Sequence, residues 1–186
     1  MARTLAGVLA GLLVLAAAGA ASAGIPDPDL SNVVLSAGGL TTCPQGDGPA
    51  FQYITVTAKR SDTTPIQGIP YTSFFFTVTG GDVTITNVGA ETDANGQIQF
   101  RVVGDESISG NLTIEVQIYT VVLNDSDTLP CVTVDLAPNG QVVLEDFAIF
   151  GADYGTTNAR SDFNWSGGVV NLEDFAIFGA HYGHSN

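Results

Sequence analysis

Between residues 51 and 122 the chain alternates apolar and polar positions in short runs. They are 51–59 (FQYITVTAK), 74–79 (FFFTVT), 83–87 (VTITN), 97–103 (QIQFRVV) and 111–122 (NLTIEVQIYTVV). Period-two alternation in β-branched and aromatic residues predicts strands with one face turned to a core. Gly80-Gly81, Asp93-Ala94-Asn95-Gly96 and Ser109-Gly110 interrupt the runs with turn residues. Pro65 and Pro70 fall in a connection, where a missing N–H does no harm to a sheet. About seven strands over about 100 residues predict a β-sandwich. Phe74, Phe75 and Phe76 cannot all face one core, because successive strand residues point to opposite faces. Phe75 is therefore expected to be covered elsewhere within the chain.

The period changes toward the C-terminus. Leu144, Phe147, Phe150 and Tyr154, then Leu172, Phe175, Phe178 and Tyr182, recur at helical spacing. They belong to two nearly identical segments, 142–155 (VVLEDFAIFGADYG) and 169–183 (VVNLEDFAIFGAHYG), closed by Gly155 and Gly183 as helix stops. Helices of about ten residues are too short to persist alone in water, so the two must pack on each other. Val142 and Val169 are expected to meet where the preceding loops pair.

Each helix follows an acidic, glycine-centred loop. Counted from Asp162, oxygen-bearing side chains stand at position 1 (Asp162), 3 (Asn164), 5 (Ser166) and 12 (Glu173), with Gly167 at 6 and the Gly168 carbonyl at 7. A hard cation such as Ca2+ takes six to eight oxygens around a sharp turn, and this order fits an EF-hand loop. Loop one, from Asp135, offers Asp135, Asn139, the Gln141 carbonyl and Asp146, with Ala137 at position 3 unable to act as a ligand. It should bind more weakly or complete its shell with water. The repeats run out of register by one residue, with Asn171 as the extra one, which leaves Glu173 and Asp174 both open as the closing carboxylate of loop two. The same residue types also build ion-free Asx turns, and it is their ordering that favours calcium.

These residues resemble the dockerin type I module, a pair of calcium loop-helix units, over 134–184. The resemblance implies metal positions at Asp135, Asn139 and Asp146, then Asp162, Asn164, Ser166 and Glu173 or Asp174. It also implies a docking face on the helices for a cohesin-like partner. The preceding segments 54–59, 64–70, 74–80 and 91–97 look like bacterial immunoglobulin-like domains of the invasin and intimin sort, spanning about 29–134. Such domains serve as spacers, stalks or adhesive modules, and the fold alone does not say which. The expected architecture is thus mostly β: a leader at 1–23, an immunoglobulin-like β-sandwich at 24–134, and a small α-helical dockerin-like module with two calcium loops at 135–186.

The leader reading rests on Met1-Ala2-Arg3, an apolar run of about 17 residues and Ala21-Ser22-Ala23 as a cleavage signal. A spanning helix needs about 20 apolar residues, so export without stable membrane insertion is expected, to an extracellular or cell-surface location. Removing the leader takes away one basic residue and no acid, leaving 4 basic against 19 acidic residues and a formal charge of −15. That balance excludes nucleic acid as a natural partner, since phosphate binding needs a basic footprint. The two cysteines of an exported chain, Cys43 and Cys131, are expected to pair, a link contributing on the order of 4 kcal/mol on the loop-entropy model. His181 and His184, the only histidines, read as part of a polar tail in preference to a transition-metal pair. No histidine stands in the β-region to serve a nucleophile, and no P-loop or H-E-x-x-H occurs, so a non-catalytic protein is expected. Carboxylate pairs such as Asp105-Glu106 are a weak basis for glycosidase chemistry, and polysaccharide binding by the β-region stays open.

Overall fold

The computed structural model describes residues 24–45, 51–104 and 108–186. The expected leader and the Asp105-Glu106 pair lie outside them. Among the described residues nine strands form two sheets. The first contains β1 (Asn32–Leu35), β3 (Gln52–Thr57), β5 (Val83–Asn87) and β6 (Gln97–Gly104), ordered β1-β3-β6-β5 and antiparallel throughout. The second contains β2 (Leu40–Thr42), β4 (Phe74–Thr79), β7 (Gly110–Ile118) and β9 (Asp127–Thr133), ordered β2-β9-β7-β4, with the short β8 (Val121–Val122) folded back on β7. β2 runs parallel to β9. Counting β1 and β2 as halves of one first strand and setting β8 aside, the first sheet holds the first, second, fifth and fourth strands in that order and the other holds the seventh, sixth and third, which is the immunoglobulin arrangement.

The alternation read from the sequence is what builds the core. Ile98, Phe100 and Val102 on β6 face Leu112, Ile114, Val116 and Ile118 on β7, all buried, while their neighbours point out. Each such side chain contributes roughly 1.5–3 kcal/mol by leaving water. Phe74 is buried and Phe76 packs against this core with its ring 4.7 Å from that of Phe100. Phe75 points the other way and stays exposed, so the expected internal cover is not made.

β4 and β5 have the expected bounds, and the predicted run 111–122 is divided by a turn in which Tyr119 takes a left-handed φ of 56°. β1, β2 and β9 were not expected as individual strands. β2 is buried at all three positions and so shows no alternation. β9 carries Pro130, a residue that argues against an interior strand. It is tolerated because β2 begins its pairing only at Cys131 and leaves that flank of Pro130 open.

The Cys43 to Cys131 bridge is not formed. β2 pairs Leu40 with Cys131, so Cys43, three residues further along, is displaced by about 10 Å at strand rise. Disulfides need Cα atoms within about 7 Å. Cys131 sits in the sandwich core, where burial pushes its thiol up to about 12. Cys43 belongs to a second core.

That second core joins the sandwich to the tail. Cys43, Val132 and Val134 from the sandwich end meet Val142, Phe150, Phe163, Val170 and Phe178. Helices α1 (Leu144–Asp153) and α2 (Leu172–His181) contribute Phe150 and Phe178, stacked with ring centroids 5.4 Å apart. Trp165 Nε1–H donates to Thr41 Oγ1 at 3.0 Å, and the Thr41 hydroxyl donates to the Phe163 carbonyl at 2.7 Å. The Trp165 ring lies so close over Gly39 that a side chain there would collide with it.

Candidate functional site

Both loops turn as their sequences require. The position-6 glycines, Gly140 and Gly167, have φ of 79° and 66°, a left-handed conformation that side chains disfavour. Each first aspartate sits over the turn it begins. Asp135 accepts from the Asn139 and Gly140 amides at 3.2 and 2.8 Å, and Asp162 from those of Ser166 and Gly167 at 3.0 and 2.7 Å. Asn164 Oδ1 accepts from the same Ser166 amide at 3.0 Å, and Ser166 Oγ lies 3.3 Å from Asp162 Oδ1, so three side-chain oxygens of loop two converge. Ser166 Oγ also accepts from the amide of exposed Gly168 at 3.2 Å. In loop one, Asn139 Oδ1 accepts from the Gln141 amide at 2.9 Å, and Ala137 offers only its backbone.

The structure separates the two carboxylates left open in loop two. Asp174 is fully buried and accepts from the amides of Asn164 and Asn171 at 3.1 and 2.9 Å. Asp146 does the same in loop one, accepting from Ala137 and Val143 at 2.7 Å each. Glu173 is exposed and holds the Asn164 side-chain amide at 2.8 Å, as Glu145 holds that of Asn139 at 3.4 Å. Asp174 is therefore the inward counterpart of Asp146.

This equivalence also corrects the register. Asn171 is not the extra residue: it is the N-cap of α2 and accepts from the Glu173 amide at 2.6 Å, at the place Val143 holds before α1. The surplus residue lies upstream, within the loop. Val170, not exposed Val169, matches buried Val142. Val142 and Val170 share the second core but exchange no backbone hydrogen bond with each other. Val142 donates to the His184 carbonyl and accepts from Gly183, while Val170 donates to the Thr156 carbonyl and accepts from Gly155. Each loop is thus tied to the turn that ends the other helix.

The donor set fits a hard cation. Asp162, Asn164, Ser166, the Gly168 carbonyl and the inward Asp174 are all oxygen donors, as calcium requires. Loop one has Asp135, Asn139, the Gln141 carbonyl and Asp146, one side chain fewer.

The helices leave a second candidate surface. Leu144 and Leu172 are 69% and 70% exposed, and Phe147, Phe175, Tyr154 and Tyr182 are also exposed. Phe147, Tyr154, Leu172 and Phe175 border a shallow apolar cleft of about 360 Å3. From the sequence, these helix-face positions are expected to serve packing and recognition alike. Only Phe150 and Phe178 are fully enclosed, because two short helices crossing over one sandwich end can bury just one stripe each.

The repeats diverge at their last helical residue. Asp153 is buried and bound by Arg160 at 2.7 Å, Ser161 Oγ at 2.7 Å and Asn158 Nδ2 at 2.8 Å. The Arg160 hydrogen bond, foremost, holds the Asp153 carboxyl below the usual aspartate range against the opposing effect of burial. The equivalent His181 is 7% exposed, with His184 and Cys43 beside it, and so is not part of a polar tail.

No protein-family model matches the chain, and no curated protein matches it at significance. Solved structures similar over part of it include the following three. The Yersinia pseudotuberculosis adhesin InvE is 16% identical, with a TM-score of 0.42 over 56% of this chain and 26% of its own. The Lin-41 filamin domain is 14% identical, at 0.40 over 57% and 95%. Yersinia pseudotuberculosis InvD is 16% identical, at 0.39 over 55% and 27%. This chain spans about a quarter of the length of the two Yersinia chains. The immunoglobulin-like assignment rests on the strand order itself. Among the described residues no helix is long and apolar enough to cross a membrane.

Proposed function

We propose that this chain is a secreted, non-catalytic structural or adhesive protein of a bacterial surface, built from an immunoglobulin-like sandwich with a calcium-stabilised tail seated on its end. The observation that carries this reading is the shared core: Cys43, Val132 and Val134 of the sandwich are enclosed by Phe150, Phe163 and Phe178 of the tail. A tail so enclosed is part of the body it terminates, unlike a docking module that swings freely on a linker. Calcium would be held by Asp162, Asn164, Ser166, the Gly168 carbonyl and Asp174, and more weakly by Asp135, Asn139, the Gln141 carbonyl and Asp146. Its charge would offset the repulsion among acidic groups, and its binding free energy would add to the stability of the tail.

A second reading is favoured by one observation. Leu144 and Phe147 of one repeat and Leu172 and Phe175 of the other are exposed at matching helix positions, with the Phe147 and Phe175 rings 6.4 Å apart, a paired apolar face that suits recruitment by a cohesin-like partner. Calcium calorimetry and thermal unfolding, with Asp162→Ala as the variant, test the tail. Saturable heat and a raised midpoint that the variant loses support the calcium-stabilised tail; flat heat at millimolar calcium overturns it. A panel of purified cohesin-like domains and insoluble glycans then separates the readings. Cohesin capture abolished by Phe147→Ala with Phe175→Ala would replace the first reading with the second, and glycan retention would make the protein an adhesin.

A further inference from the structure

The residue that breaks the repeat, His181, brings a different chemistry together. Cys43 follows β2 and is fully buried, with its Sγ 3.3 Å from His184 Nδ1. One ligand atom from each of Cys43, His181 and His184 falls within 4.8 Å of the others. The two imidazoles stand edge to face with centroids 5.2 Å apart, held by a turn in which the His184 amide donates to the His181 carbonyl at 3.1 Å. His184 is anchored further through its own carbonyl, which accepts from the Val142 amide at 2.9 Å. His181 Nδ1 lies 2.8 Å from the Ile177 carbonyl oxygen, which can only accept. Nδ1 is therefore the protonated nitrogen, and in the neutral imidazole that a metal requires Nε2 carries the lone pair. Metal-bound imidazoles are oriented by this kind of backbone hydrogen bond.

We propose that Cys43, His181 and His184 form a site for zinc that fastens the tail to the sandwich. A tetrahedral ion with Zn–S of about 2.3 Å and Zn–N of about 2.0–2.1 Å separates sulfur from nitrogen by about 3.6 Å and the two nitrogens by about 3.3 Å. The three ligand atoms lie within 4.8 Å of one another and so already stand close to that geometry. Thiolate and imidazole select zinc-like ions, whereas calcium takes oxygen, so this site is chemically independent of the two loops. Its three ligands come from β2's end, the last turn of α2 and the segment after it. Half-buried His184 marks the solvent side, where water would complete the shell.

The test uses residues 24–186 in reductant with saturating calcium, titrated with Zn2+ by calorimetry and with Co2+ by absorption. The expected result is one tight zinc site, a thiolate-to-cobalt charge-transfer band and a zinc-dependent rise in the unfolding midpoint. Cys43→Ser should abolish the band, and His181→Ala and His184→Ala should each weaken zinc at least tenfold. Cys131→Ser should change nothing. Circular dichroism identifies any variant that fails to fold, and half-exposed His184→Ala serves if Cys43→Ser does so. Absence of the band in the parent chain, or undiminished zinc affinity in His184→Ala, overturns the proposal.

Discussion

The two loop-helix units share the run Leu-Glu-Asp-Phe-Ala-Ile-Phe-Gly-Ala, and they fold to helices of equal length with the same inward phenylalanine and aspartate. They differ in what their ends touch. Asp153 finds Arg160, Ser161 and Asn158 in the segment between the helices, while His181 finds Cys43 of the sandwich. One unit is locked to its own linker and the other is turned toward a second domain. A repeat thus specifies its helix locally, and a single side chain at its end is enough to give each copy a different neighbour.

The largest expected effect tests the shared part. Phe150→Ala and Phe178→Ala should each cost about 3–5 kcal/mol in urea unfolding. Phe150 should cost more, because it also stacks on Phe163 at 5.8 Å. The double variant should fall short of the sum, since the two rings are in contact.

The inward aspartates come next. Asp146→Ala and Asp174→Ala each strand two backbone amides and should destabilise the tail by about 1–3 kcal/mol, equally in the two units. Glu173→Ala should stay within about 0.5 kcal/mol without calcium, as an exposed side chain. A larger loss from Glu173 than from Asp174 would reverse the assignment of the inward carboxylate.

A smaller effect belongs to unit one alone. The Asp153 carboxyl is held below its unfolded value, so its contribution is complete above the ordinary aspartate range near pH 4 and is lost as pH falls through the lower folded value. Arg160 is half exposed, which limits the pair to about 1 kcal/mol. Unfolding midpoints recorded from pH 7 to pH 2 should show Arg160→Gln less stable at neutral pH and converging with the parent as pH falls through the lowered Asp153 value.

The smallest effect lies at the helix starts. Asn171→Val should remove an N-cap and cost about 1 kcal/mol, and Val143→Asn should gain a similar amount in unit one. If both swaps are neutral, the cap does not distinguish the units.

Much of this was legible in the residues. Alternation exposed the strands of the sandwich that have one wet face, and helical spacing with Gly155 and Gly183 located the two helices. β2 and β9 escaped because one is buried on all sides and the other contains Pro130, so neither carries the period by which strands are recognised. The register of loop two was misread because the sequence aligns Val169 with Val142. Only burial shows that Val170 takes the inward place and that Asp174 follows it.

Local patterning by itself determined the mostly β architecture, the paired loop-helix tail and the acidic oxygen donors, since each depends on neighbours a few residues apart. Tertiary structure decided that Cys43 and Cys131 stand apart, that Phe147 and Phe175 face solvent, and that His181 and His184 converge on a cysteine 141 residues before the second of them. Those outcomes depend on which surfaces meet across the end of the sandwich, and contacts between residues that distant leave no periodic trace in the chain.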